Sequence, residues 1–181
     1  KLFALVAQGD FARKADNVAL SGKIINELIK LRYPKDRVVS VCDLGSNNMN
    51  YLLYNKSRNT VIHRYWCTTS LGMGFCDGIL SDLSITGALD AIKNILDVDA
   101  CIKSEKRLIA TGVSRLAENS DVLLSAIAQR WQFKAKVINA KTEMKYSWLA
   151  ARDLMLQNSA NITLDIGGAS TDSLGNVCRK A

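Results

Sequence analysis

Two short segments carry residue types that could do chemistry together. The first reads Val41-Cys42-Asp43-Leu44-Gly45-Ser46-Asn47, the second Thr163-Leu164-Asp165-Ile166-Gly167-Gly168-Ala169-Ser170-Thr171. Each is an apolar, strand-like run that ends on an aspartate and passes into glycine and hydroxyl residues. Glycine lets backbone N–H groups come close to an anion, and successive N–H groups in a turn form a nest for phosphate oxygens. The hydroxyls of Ser46, Ser170 and Thr171 add donors. An aspartate repels phosphate, so Asp43 or Asp165 needs a Mg²⁺ ion or a water between itself and the anion. One such segment alone reads more simply as an Asp/Gly/Ser turn between strands. Two copies, both at strand ends and about 120 residues apart, suit two phosphate loops separated by a half-domain of ordinary size.

The elements that must position these loops follow from hydrophobic periodicity. Ile24, Ile25, Leu28, Ile29 and Leu31 recur at near-helical spacing with Ser21 as a cap, and Pro34 ends the pattern. Residues 1–37 therefore read as a helical extension and linker, and 38–181 as the domain proper. Val38 to Cys42, Tyr51 to Tyr54 and Thr60 to Cys67 read as a β-meander with short turns. A glycine-spaced loop through Gly72, Gly74 and Gly78 follows, then a helix capped by Ser84. Next come a strand at Arg107 to Thr111, a helix capped by Asn119-Ser120-Asp121, a strand at Ala135 to Asn139 and a helix from about Lys141 to Gln157. Ile162 to Ile166 is a buried strand, and Gly175-Asn176 reads as a hairpin turn. A meander followed by strand–helix alternation predicts an α/β fold, a mixed sheet with helices on its faces.

Composition narrows the function classes. The chain has 181 residues, 48% of them apolar, and a formal net charge of +7. No run approaches the roughly 20 apolar residues of a membrane span, and no apolar run follows a basic start as in a secretory leader. The positive charge favours anionic partners such as polyphosphate, nucleotides or RNA, although without a long Lys/Arg block the charge alone reads more simply as a solubility surplus spread over the surface. Five cysteines without a CxxC, and a single His63 in a strand-like stretch, make a disulfide framework or a zinc site improbable. The expectation is a reducing intracellular compartment, the cytoplasm or the mitochondrial matrix.

Asp43-Leu44-Gly45-Ser46-Asn47 resembles the first phosphate loop of the exopolyphosphatase/guanosine pentaphosphatase family. Asp165-Ile166-Gly167-Gly168-Ala169-Ser170-Thr171-Asp172 resembles its second, usually DIGGGSTE. Between them, Ala110-Thr111-Gly112-Val113-Ser114-Arg115-Leu116-Ala117-Glu118-Asn119 is similar to the family's ATSALREAxN, and Val137 to Glu143 stands in the place of its IISGxEE. The motifs fall in the family's order across residues 38–178.

The resemblance implies an actin-like (ribonuclease H-like) half-domain, of the actin/sugar-kinase/Hsp70 superfamily. It implies hydrolysis of a terminal phosphate of polyphosphate or guanosine pentaphosphate. Glu143 falls on the family's catalytic glutamate, which orients or deprotonates the attacking water, and Arg115 on an arginine that contacts phosphate. Asp43, Gly45, Ser46, Asn47, Gly167, Gly168, Ser170 and Thr171 fall on the phosphate-binding loops. Asp165 and Asp172 fall where acidic residues stand near Mg²⁺. The resemblance also implies a second domain, or a partner chain, to complete the cleft; that domain would follow the second loop, and the sequence stops at Ala181.

From the residues alone, Glu143 reads as a dipole-stabilising carboxylate near a helix start, and Arg115 as a surface residue beside Glu118. The sequence also departs from the motifs. Thr142 stands for the first glutamate of the pair, Ala140 for a glycine, Ala169 for the third glycine of the second loop, Asp172 for a glutamate, and Gly112 and Ser114 for Ser and Leu. These changes define an alternative reading, a non-catalytic member that binds polyphosphate or RNA or serves as a scaffold in a larger assembly. An ATP-binding kinase relative shares the loops but not the Ala110–Asn119 stretch or Glu143.

Overall fold

The computed structural model describes residues 15–151, 161–166 and 171–176, with side chains over 22–151. Strand β1 (Val38–Leu44) is central, flanked by β2 (Asn48–Asn55), which pairs onward with β3 (Thr60–Thr68). On its other side lie β6 (Glu105–Ala110) and then β7 (Lys134–Val137), giving a five-stranded sheet of order β3-β2-β1-β6-β7. The meander β1-β2-β3 is antiparallel, whereas β1-β6 and β6-β7 are parallel. The sheet is mixed, as expected, because hairpin turns join the meander while helical crossovers return the chain to β6 and β7.

Strand alternation sets the layers. In β1, Val38, Ser40, Cys42 and Leu44 are buried, while Val39, Val41 and Asp43 face the half-covered side. Helix α2 (Asp82–Ala100) contributes Ile85, Ala88, Ile92, Ile95 and Leu96 to the core, and α3 (Ser120–Trp131) contributes Leu123, Ile127 and Trp131. Between β3 and α2 lie a 3₁₀ turn (Leu71–Gly74) and a small hairpin, β4 (Phe75–Cys76) with β5 (Ile79–Leu80). Helix α4 (Ala140–Ala151) follows β7, and β8 (Asn161–Ile166) pairs antiparallel with β9 (Thr171–Asn176) beside it.

A buried ionic network pins the far end of α2 to the sheet. Asp99 is fully buried, and its carboxylate accepts from Ser40 Oγ, from Tyr51 OH at 2.6 Å and from Lys106 Nζ at 2.6 Å. Lys106 also donates to the carbonyls of Asp99 and Ile102. Every charge removed from water here has a counter-charge and hydrogen bonds.

Helix α1 runs Ala15–Arg32, so Ser21 lies inside it rather than capping it. Gly22 explains why the Ser-Gly pair does not break the helix: a Cβ there would lie 2.7 Å from Cys101 Cβ and 2.8 Å from the Val98 carbonyl oxygen. The bare Cα lets α1 pack directly on the end of α2, burying Ile25 and Ile29. The cap of α2 is Ser81, not Ser84; its side chain accepts the Ser84 N–H. Gly175 and Asn176 are the last residues of β9, in register with Ile162 and Asn161, rather than a turn. Residues 152–157 of the expected last helix lie outside the described residues. No described helix is long and apolar enough to cross a membrane.

Candidate active site

Parallel pairing brings the loops at the C-terminal ends of β1, β6 and β7 to one edge of the sheet. The β1–β2 turn closes on itself through Gly45 N–H donating to Asn48 O at 2.9 Å. Residues 69–72 clamp it. Thr69 and Ser70 N–H donate to the Asn47 carbonyl at 2.7 and 3.0 Å, and Gly72 N–H to the Ser46 carbonyl at 2.7 Å. The turn after β6, a 3₁₀ turn over Gly112–Arg115, ties in from the other side. Thr111 N–H donates to Leu44 O at 2.9 Å, and Val113 N–H to Ser46 Oγ at 2.9 Å.

Ser46 is thus buried and faces the neighbouring turn. Its oxygen is an acceptor inside the protein, and its role in this geometry is to set the distance between two loops. Asn47 stays exposed at the tip and Gly45 half-buried at the base. Gly112 has φ +55°, and a Cβ there would collide with Ser46 Oγ. The glycine that departs from the family pattern therefore has its own reason, since glycine takes this left-handed conformation without strain and has no Cβ to displace Ser46.

Arg115 ends that 3₁₀ turn, and Glu143 lies in the first turn of α4. Asn139 caps α4: its Oδ1 accepts the Thr142 N–H at 2.8 Å and its carbonyl accepts the Glu143 N–H at 3.0 Å. The adjacency of β6 and β7, continued by Ile138 N–H to Ala110 O at 3.1 Å, holds the two turns side by side. Arg115 Nη1 donates to Glu143 Oε2, and the two side chains are 17% and 21% exposed. The structure thus joins two residues 28 apart in sequence into one ion pair, still open to solvent.

Asn119 stands at the N-cap position of α3, as expected, but its side chain makes no hydrogen bond to the helix. Its amide spans both backbone groups of Leu80, accepting from N–H at 2.9 Å and donating to C=O at 2.8 Å. With Glu118 N–H donating to Gly78 O, this fixes the β4–β5 hairpin at the same edge. Asp43, next to the first loop, lies at one end of a cavity of about 470 Å³ on the half-covered sheet face, lined also by Val41, Asn50, Leu52, Arg64 and Trp66. Two buried hydroxyls beside the loops, Thr69 and Ser114, have no hydrogen-bond partner among the described residues. The sequence marks Ser114 only as a departure from the family motif, and nothing in its neighbours marks Thr69. Unpaired buried groups are uncommon in folded proteins.

In the second segment, Asp165 and Asp172 are direct cross-strand partners, and Thr171 opposes Ile166. Gly167, Gly168 and Ser170 lie outside the described residues. Like charges at directly opposed positions destabilise a hairpin unless a cation offsets them, and carboxylates are a donor type that Mg²⁺ takes. Among the described residues no three His, Cys, Asp or Glu side chains gather as a metal site.

Comparison with known proteins follows the same outline. A family model, the Ppx/GppA phosphatase family, matches residues 56–176. The chain is 25% identical over 146 residues to a guanosine-5'-triphosphate,3'-diphosphate pyrophosphatase of Pseudoalteromonas translucida (strain TAC 125), covering 77% of this chain and 29% of that protein. Its fold is similar to an exopolyphosphatase from Cytophaga hutchinsonii, with TM-score 0.70, 19% identity, and coverage of 80% of this chain and 48% of that one. An Aquifex aeolicus Ppx/GppA family protein gives TM-score 0.62 and 21% identity over 80% of this chain and 49% of that one. The chain spans about half the length of these solved structures and less than a third of the curated relative.

Proposed function

Because the chain belongs to the Ppx/GppA phosphatase family, we propose that it forms one wall of a phosphohydrolase site that removes the terminal phosphate of inorganic polyphosphate or guanosine pentaphosphate. The observation that carries this reading is the Arg115–Glu143 pair, held at the edge where the first phosphate loop ends.

The chemistry asks little of the protein beyond positioning and charge. The phosphoryl group passes from a bridging oxygen to a water in line with it, so the oxygens of the transferred group must be stabilised. Arg115 suits that task, because a guanidinium is always charged and can bind two oxygens at once. Glu143 accepts from Arg115 through Oε2, which leaves Oε1 to orient a water and take its proton. The exposed tip at Asn47 offers backbone N–H groups to the anion, and the Ser46–Val113 bond keeps that tip in register with Arg115. Asp165 and Asp172 would hold Mg²⁺, which when bound offsets charge on the phosphates.

The test is phosphate release from polyphosphate and from guanosine pentaphosphate by the longest native form of the protein, with and without Mg²⁺ and across a salt series. Release that needs Mg²⁺ and differs between the two substrates supports hydrolysis and names the substrate. Salt-sensitive binding of polyphosphate or RNA without release supports a non-catalytic binding module instead.

A further inference from the structure

Helix α1 has two apolar stripes and the domain uses only one. Ile25 and Ile29, with Gly22, pack on α2. Ile24, Leu28 and Leu31 are 47%, 48% and 79% exposed. Their spacing of four and then three residues is the d-a-d pattern of a coiled-coil seam. At about 100° per residue this stripe is centred roughly a third of the way round the helix from the buried one.

The flanking charges say what fits it. With Leu28 as position a, Glu27 falls at g and Arg32 at e of the following heptad. In a parallel two-stranded coil the g residue of one helix faces the e residue five positions on in its partner, so Glu27 would face Arg32 of a second copy, twice by symmetry. An antiparallel pair would lose this match. Among the described residues Glu27 pairs with Lys30 of its own helix, at 2.6 Å and exposed, and such surface pairs exchange at little cost.

We propose that α1 is a self-association surface, pairing in parallel and in register with α1 of a second copy through Ile24, Leu28 and Leu31. The seam is short, since the next positions upstream, Ser21 at a and Asn17 at d, are polar. It therefore covers less than the standard interface of about 1,200–2,000 Å², and the dimer is concentration-dependent.

The test is sedimentation of the longest native form over a wide concentration range, with Leu28→Lys, Glu27→Arg, Arg32→Glu and the double charge swap. The expected result is a rise from monomer to dimer mass that Leu28→Lys abolishes, that each single charge reversal shifts to higher concentration, and that the double swap restores. Unchanged thermal unfolding of each variant shows that the domain stays intact. A monomer at every concentration overturns the proposal. So does a dimer indifferent to Leu28→Lys, or one that the double swap does not restore.

Discussion

Gly112 sits in the left-handed region with Ser46 Oγ where a side chain would begin. Gly112→Ala must either push the Ser46 hydroxyl off the Val113 N–H or force the turn open. The expected cost is about 1–3 kcal/mol of stability, read as a lower denaturant midpoint with an unchanged slope. Turnover should fall too, because Arg115 rides on the same turn. Nothing in the sequence announces this. Gly112 reads there as a lapse from a family motif, because the sign of a backbone angle and a contact between residues 67 apart are tertiary facts. Arg115 and Glu143 are the converse. Their residue types and order were legible through the motif, whereas their ion pair required the parallel β6–β7 step to bring the two turns together. A second residue-scale prediction concerns His63, stacked obliquely near Tyr51 with ring centroids 6.5 Å apart. Burial holds its imidazole down to about 4, from an ordinary 6.5. Between those values the unfolded chain takes up the proton and the folded chain does not, so stability falls as pH drops from 6.5 to about 4. Thermal unfolding midpoints for His63→Gln should decline less over that window. Arg37 and Arg107 hold the Glu105 carboxyl down to about 2, so its contribution is lost at lower pH, below the ordinary 4.5.

Among the elements, α2 carries most of the covering layer, and the Asp99–Lys106 network fixes its far end to β1, β2 and β6. Lys106→Met leaves a fully buried carboxylate without its counter-charge, so the variant should lose about 3–5 kcal/mol, measured by urea unfolding. Asp99→Asn with Lys106→Met should recover part of it, since no buried charge then remains. Apolar periodicity marks the long strands and helices of 38–151, whereas the β4–β5 hairpin, in the stretch that reads as a glycine-spaced loop, is too short to show a period. The misreadings cluster at element ends. Ser81 rather than Ser84 caps α2, and Asn119 spends its amide on the Leu80 backbone. Capping preference narrows the choice to a few neighbouring polar residues, but which one caps depends on where the preceding hairpin delivers the chain. Ser21, read as a cap, lies inside α1, because the adjacent Gly22 serves close packing on Cys101 rather than a helix end.

At the scale of the molecule, the mixed sheet gathers every candidate group described with side chains at one edge, while the α1 surface lies on the outer layer. That separation predicts independence: Leu28→Lys should alter association without changing turnover per site at dilute concentration. Glu143 is the group proposed to activate water. The direct measurement is the steady-state rate of phosphate release from polyphosphate by the longest native form and by its Glu143→Ala variant. A catalytic carboxylate of this kind is worth about 10²–10⁴-fold in rate, so a drop of that size with KM little changed is the predicted result. A Glu143→Ala variant that releases phosphate as fast as the native protein, or a native protein that releases none, would contradict it.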